Sequence, residues 1–401
     1  MASSRNFLFQ TTRNILSELG GVAKLGALVG SSSGGGLNCA RVLVVTDPGV
    51  RAAGLVDPAL RSLSDAGVAH AVFDDVVADP PEQVVHDACA AARALGADGV
   101  VGLGGGSSMD VAKLVAFLES AGTAQSLSDI YGVGACAGER LPLVQVPTTA
   151  GTGSEVTPIS IVTTGANAKM GVVSPQLLPD WALLDGALTL SVPPAVTAAT
   201  GIDAMVHAIE AYTSRPRKNP LSDALAREAL ALLAGNIRAA CARGDDGDAR
   251  GAMLLGSCYA GMAFANAPVA AVHALAYPVG SHFHVPHGLS NSLVLPHVLR
   301  FNAADARAAA QYAELLPLVF PERAAAAPSS GDEAAAHALA DGLAELAVEL
   351  AIPTTLPEVG IAAGDVELLA TEAMKQTRLL PNNPREVTLD DARALYTAAM
   401  G

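Results

Sequence analysis

Residues 99–120 read G-V-V-G-L-G-G-G-S-S-M-D-V-A-K-L-V-A-F-L-E-S. Gly99–Leu103 is a short apolar, β-prone run, and Met109–Ser120 has helical periodicity. Between them lies Gly104-Gly105-Gly106-Ser107. A buried strand running through glycines into a helix is the opening of a βαβ unit. Glycines there let backbone N–H groups approach a phosphate, and the helix N-terminus adds a favourable dipole. Ser107 and Ser108 are expected to cap that helix. The stretch is neither G-x-G-x-x-G nor a P-loop, since no Gly-Lys-Ser/Thr follows. Taken alone, it is equally a tight structural turn.

The flanking sequence repeats the pattern. Upstream, Arg41–Thr46 reads as a strand ended by the turn signal Asp47-Pro48-Gly49, Leu55–Ala66 as a helix stopped by Gly67, and Ala69–Phe73 as a strand. An alanine-rich helix follows over Glu82–Leu95. Downstream, Leu143–Val146 is a strand closed by Pro147-Thr148-Thr149. Short strands are expected at Ser160–Thr163 and Ala182–Asp185 within an otherwise irregular stretch, and from Pro193-Pro194 onward nearly everything is helical. Loops are expected at Arg243–Asp248 and over 324–332. These patterns predict a Rossmann-like parallel α/β domain over 1–190 and an all-helical domain over 191–401. Asp47 and the hydroxyl-rich P-T-T-A-G-T-G-S-E (147–155) both fall at carboxyl ends of strands, where open α/β sheets bind ligands. Together with the glycine turn they favour a nucleotide. Asp47 favours NAD over NADP, because a 2′-phosphate would meet a carboxylate.

Composition narrows the function classes. The 401 residues are 51% hydrophobic and 16% charged, as in a compact globular chain. Lys and Arg number 24 against 39 Asp and Glu, a net −15, which disfavours nucleic acid and anionic membranes. No apolar run reaches the roughly 18–20 residues that span a bilayer, and no secretory signal is visible at the start. Five scattered cysteines without C-x-x-C point to reduced thiols and a cytoplasmic protein.

The helical half carries its own chemistry. Gly201–Ser214 reads G-I-D-A-M-V-H-A-I-E-A-Y-T-S, with Asp203 and His207 at i and i+4 on one helix face among apolar neighbours. Such a pair is either a buried hydrogen bond or half of a metal site. Residues 271–287 supply His273, His282, His284 and His287. Two of these with Asp203 and His207 would make a thiolate-free set suited to Fe²⁺ or Zn²⁺. His282 and His284 flank a loop and read as surface residues or substrate-side donors.

G-I-D-A-M-V-H-A-I-E-A-Y, G-G-G-S-S-M-D-V-A-K (104–113), P-T-T-A-G-T-G-S-E, K-M-G-V-V-S-P-Q-L-L-P-D (169–180), H-A-L-A-Y-P-V-G-S-H-F-H-V-P-H-G (273–288) and N-P-R-E-V-T-L-D-D-A (383–392) together resemble the iron-containing (group III) alcohol dehydrogenase family. The resemblance covers nearly the whole chain. It implies the same two-domain, dehydroquinate synthase-like architecture, with metal ligands Asp203, His207, His273 and His287, excluding His282 and His284. It implies NAD contacts at Asp47, Gly104, Gly105, Gly106, Ser107, Asp110, Thr148, Thr149, Thr152 and Lys169. Phe264, Ala265, Asn266 and Pro158 would face a small, mostly uncharged substrate. The implied activity is hydride transfer between NAD(H) and a small alcohol or carbonyl, with Fe²⁺, Zn²⁺ or another divalent metal polarising the substrate oxygen. A homodimer or larger homo-oligomer is implied as well.

Two positions depart from the pattern. Many members carry histidine four residues after the third ligand, a place assigned a proton-relay role, and here it is Tyr277. A tyrosine can pass a hydrogen bond, but its ordinary pKa of about 10 makes it a poor base at neutrality. Asp79 stands where relatives often have Asn. Other readings on the same fold are a maleylacetate-type or other oxo-acid reductase and a dehydroquinate synthase-like lyase. The first should lack the ligand set. The second needs several basic residues near the metal, and no Lys or Arg lies between Arg250 and Arg300.

Overall fold

A computed structural model describes residues 6–30, 35–165, 168–326 and 331–401. It divides into two compact units: one spans Gln10–Ser191, and the other spans Val192–Gly401 with the segment ending at Phe9.

In the first unit the strands are β1 (Asn14–Ser17), β2 (Arg41–Val45), β3 (Ala69–Phe73), β4 (Gly99–Gly104), β5 (Gly132–Val133), β6 (Leu143–Pro147), β7 (Ile159–Thr164), β8 (Ala168–Val173) and β9 (Trp181–Leu184). Six form a sheet of order β1-β9-β6-β4-β2-β3, parallel throughout. Strand alternation builds a core on each face. Leu43 and Val45 pack with Val85, Ala88 and Phe117 on one side, while Val42 and Val44 pack with Ala59 and Leu63 on the other. That two-sided burial explains why β2 and β4 read as continuous apolar runs. The chain leaves β2 toward β3 and returns on β2's other side as β4. The carboxyl ends of β2 and β4 therefore flank the reversal of strand order, the usual ligand crevice of such sheets.

The expected strands and helices are present, with corrections at several places. The helix after the glycines begins at Gly106, with Gly105 as N-cap and no side-chain cap, so Ser107 and Ser108 lie inside its first turn. Asp47 does not simply end a turn. It caps a five-residue helix, Pro48–Ala52, by accepting from Val50 N at 2.9 Å. The stretch read as irregular also holds β8, which with β5 and β7 makes a small second sheet. Part of the 324–332 loop lies outside the described residues, and its start is helical through Ala326.

The second unit is helical. Pro194–Thr213 begins with proline in its first position, where the missing N–H has no helical partner anyway. It packs against Pro220–Ala242, Gly247–Asn266 and His287–Asn302. Crossing is close at Gly201, where a Cβ would stand 2.7 Å from Met253 Cε and 2.8 Å from Ile237 Cδ1. Among the described residues no single helix is long and apolar enough to cross a membrane.

Candidate metal centre and glycine turn

Three helices of the second unit bring Asp203, His207, His273 and His287 together. Asp203 and His207 sit one turn apart on Pro194–Thr213, and both are buried. His273 lies in the first turn of Ala271–Phe283. That helix ends on His284, left-handed at φ 56°, and Val285-Pro286 lead directly into His287, the first residue of the next helix. Gly288 permits the approach: a Cβ there would lie 2.4 Å from Ala199 O and 3.2 Å from Asp203 Cβ. His287 Nε2 thereby comes within 3.7 Å of Asp203 Oδ1, and His273 Nε2 within 4.0 Å. One donor atom from each of the four residues lies within 4.8 Å of the other three. His282 and His284 are exposed and outside this group.

The donor set fits a divalent metal. One carboxylate and three imidazoles converge without a thiolate, a combination that suits Fe²⁺ or Zn²⁺. Burial pushes the Asp203 carboxyl up, but the imidazoles of His207, His287 and His273, with the Asn291 amide, outweigh it and hold the group below the usual range. Metal ligation needs that anionic form.

Two residues that the sequence reading passed over complete the cluster. Glu210 Oε2 lies 2.6 Å from His273 Nδ1, and the same carboxylate accepts from Ala270 N at 2.9 Å and Val272 N at 2.7 Å. An Nδ1–H held by a carboxylate leaves Nε2 as the lone pair. The spacing 203, 207, 210 (i, i+4, i+7) was the available signal. Asn291, one turn after His287, places its Nδ2 2.6 Å from Asp203 Oδ1. Phe264 stacks on His207 with ring centroids 4.3 Å apart. Tyr277 lies edge-on to His273 at 6.5 Å and tilted to His287 at 5.9 Å. Phe264 and Tyr277 also pack against buried Val269 and Leu379. Asn266 Nδ2 donates to Met262 O, and Pro158 belongs to the first unit.

In the first unit, parallel pairing of Val45 with Gly102 sets Asp47 beside the glycine turn. Ser108 Oγ donates to Asp47 Oδ2 at 3.3 Å. A Cβ on Gly104 would stand 2.6 Å from Ser108 Oγ, whereas one on Gly105 would meet nothing nearer than Thr149 Oγ1 at 3.9 Å. Thr148 N donates to Gly104 O at 3.0 Å, and Thr152 packs against Gly106. Asp47, Gly104–Ser107, Thr148, Thr149 and Thr152 are thus gathered at the carboxyl ends of β2, β4 and β6. Lys169 lies on β8 in the small sheet, where its Nζ is 2.7 Å from Asp79 Oδ1.

Asp110 is engaged within the first unit. Its Oδ1 accepts from Ser154 Oγ at 2.6 Å and lies 3.5 Å from Lys113 Nζ, and its Oδ2 accepts from Ile161 N at 2.9 Å. Lys113 is fully buried, donating to Ser154 Oγ and Ile159 O, both at 2.7 Å, and to Thr157 Oγ1 at 3.2 Å. Burial pushes the Asp110 carboxyl up and the Lys113 ammonium down, and their mutual attraction opposes both. Burial raises neighbouring Glu155 to about 7.

A parallel α/β sheet with a phosphate-type turn, together with a helical unit carrying an Asp-and-three-His cluster, fits the class of nucleotide- and metal-using enzymes. Residues 12–186 match the family model for iron-containing alcohol dehydrogenase, and residues 197–400 match that for the C-terminal part of the same family. The chain is 40% identical over 364 residues to long-chain-alcohol dehydrogenase 1 of Geobacillus thermodenitrificans (strain NG80-2), covering 90% of each. It superposes on a 1,3-propanediol oxidoreductase crystal structure with TM-score 0.92 at 32% identity, covering 98% of this chain and 100% of that one. A sulfoacetaldehyde reductase from Bifidobacterium kashiwanohense in complex with NAD⁺ gives TM-score 0.84 at 28% identity, covering 99% and 100%. The chain belongs to the iron-containing alcohol dehydrogenase family, and it is an oxidoreductase of the alcohol dehydrogenase type. The expected cofactors, a divalent metal and NAD, agree with the family, with the NAD⁺ complex of that relative and with the four-residue cluster.

Proposed function

We propose that the protein is a metal-dependent, NAD-linked dehydrogenase of small alcohols that also runs as an aldehyde reductase. One observation carries the reading: a carboxylate and three imidazoles from three helices offer donor atoms within 4.8 Å of one another. Asp203, His207, His273 and His287 would hold the ion. When bound, the metal acts as a Lewis acid toward the substrate oxygen, and NAD accepts or donates the hydride.

The chain's own residues prepare this chemistry. Glu210 keeps the Nδ1 proton of His273 away from the cluster. Asp203 stays anionic against its burial. Phe264, with Val269, Leu379 and Tyr277, gives the cluster an apolar flank suited to the carbons of a small uncharged substrate. Tyr277 is assigned hydrogen bonding toward the reacting alcohol or ribose. Asp47, Gly104, Gly105, Gly106, Ser107, Thr148, Thr149, Thr152 and Lys169 are assigned to the dinucleotide, with Asp110 supporting them through Ser154. Residues 1–190 form the cofactor domain and 191–401 the metal-binding domain of this reading. A cytoplasmic homodimer or larger homo-oligomer belongs to it too, in keeping with five free cysteines, four of them buried.

The complete ligand set disfavours a maleylacetate-type reductase, and the stretch without Lys or Arg between Arg250 and Arg300 disfavours a lyase. The test is NADH absorbance with short alcohols, diols, aldehydes and oxo acids, on chelator-treated protein with and without Fe²⁺ or Zn²⁺. Metal-restored turnover of alcohols or aldehydes is expected. No turnover with any metal, or turnover of oxo acids alone, would overturn the reading.

A further inference from the structure

We infer that Asn291 is a positioning residue of the metal centre, holding Asp203, His273 and His287 convergent with their lone pairs turned inward. The inference rests on the metal-site reading above. Asn291 has no exposure to solvent and sits on His287–Asn302 one turn beyond His287. Its Nδ2 lies 2.6 Å from Asp203 Oδ1, 3.4 Å from His273 Nε2 and 3.3 Å from His287 Nε2. A single amide nitrogen thus stands against three of the four candidate ligand atoms, each brought by a different helix.

The orientation of the amide is set by charge. Turning it over would place a carbonyl oxygen against the Asp203 carboxylate, which repels it, so the NH₂ faces the cluster. An amide N–H toward an imidazole nitrogen is favourable only when that nitrogen carries a lone pair. His273 meets the condition from its far side, because Glu210 takes the Nδ1 proton. Asn291 and Glu210 therefore act on opposite edges of one ring and select the same tautomer, whose Nε2 lone pair faces the cluster and would pass from the amide to a metal on binding.

The other end of the amide argues against a merely stabilising role. Asn291 Oδ1 is buried and has no hydrogen-bond partner among the described residues. Asparagine is also a weak helix former, set here among buried Leu293, Val294 and Leu295. A buried orphan acceptor of this kind calls for a functional explanation. The contact with three ligand residues supplies one.

Cobalt(II) affinity by chelator competition, the cobalt visible spectrum and the melting temperature would be measured on the full chain for wild type, Asn291→Leu and Asn291→Ala. Asn291→Leu keeps the volume and removes the donor. Affinity is expected to fall about tenfold to a hundredfold in both variants, with a changed cobalt spectrum in the folded protein. A lower melting temperature with affinity and spectrum unchanged is the result of a purely structural role and overturns the inference. If wild type itself binds no cobalt, iron or zinc, it is the metal-site reading that falls.

Discussion

Glu210 Oε2 and His273 Nδ1 lie 2.6 Å apart across 63 residues of sequence. The contact joins Pro194–Thr213 to the first turn of Ala271–Phe283, since the same carboxylate also takes the N–H groups of Ala270 and Val272. Glu210→Gln replaces the carboxylate with a neutral amide whose single oxygen must serve His273 Nδ1 and Ala270 N while its NH₂ faces Val272 N, so the hold on the Nδ1 proton weakens. Metal affinity is expected to drop about 10–100-fold. Glu210→Ala additionally strands two buried N–H groups, at about 1–3 kcal/mol each. Metal retained per chain after dialysis and a denaturant titration read the two effects separately. A Gln variant that holds metal like wild type would contradict the tautomer role.

Lys113 makes a comparable tie in the first unit. Its ammonium joins Gly106–Leu118 to residues 154–159 and accompanies the Asp110 carboxylate. Lys113→Met keeps the stem's volume but leaves Asp110 buried without its cation, a loss of about 3–5 kcal/mol. Since that helix begins at the glycine turn, NADH affinity should weaken in the same variant. Urea unfolding and NADH fluorescence titration measure the two. Unchanged stability would mean that the pair contributes nothing net.

What the sequence disclosed follows from how local each signal is. β2 and β4 are buried on both faces, so their apolar runs stand out, and Glu82–Leu95 has one buried stripe with a glycine stop. Asp203 and His207 share a face by helical spacing alone. β1, four residues at a sheet edge with no fully buried side chain, left no such pattern. The helix start at Gly106 was hidden because three glycines carry no periodicity. Glu210 and Asn291 were visible as residues at helical spacing from ligands, but their partners lie on other helices. Only packing reveals which face meets which. For the same reason the contacts of Asp110 with Lys113, three residues on, and with Ser154 were not legible in the sequence.

Glu155 gives a pH dependence whose sign can be worked out. Burial raises its folded pKa to about 7, above the usual carboxylate value near 4.3. Between those values the folded state holds a proton that the unfolded state has lost, so stability falls as pH rises through this window. The full decline amounts to roughly 4 kcal/mol, at about 1.4 kcal/mol per pH unit. Glu155→Gln should flatten the decline, being more stable than wild type near pH 8 and little changed near pH 4. Denaturant midpoints across that range test it. A wild-type decline that persists in Glu155→Gln would locate the titration elsewhere.

Tyr277 is within ring contact of His273 and His287 but is not among the four clustered residues. Tyr277→His should leave metal content unchanged and introduce a group that titrates at about pH 6.5. The kcat–pH profile of the variant is then expected to gain a limb near neutrality that wild type lacks. Measuring kcat from about pH 6 to pH 9 at saturating substrate decides the matter. Superimposable profiles would show that position 277 moves no proton.

A substitution at Gly105 would separate cofactor binding from folding. Its backbone is extended, at φ −74° and ψ −175°, and an added Cβ would meet nothing nearer than 3.9 Å. Alanine is therefore sterically acceptable to the protein, and its weaker N-capping costs only about a kcal/mol or less. The same methyl would occupy the face by which the backbone N–H groups approach a pyrophosphate. Gly105→Ala is expected to melt within a few degrees of wild type and to bind NADH at least about tenfold more weakly, a loss of about 1.4 kcal/mol. Gly104→Ala, whose Cβ would collide with Ser108 at 2.6 Å, should lose stability and binding together. If Gly105→Ala bound NADH as wild type does, the glycine turn would be a structural corner, and the dinucleotide would have to be held elsewhere.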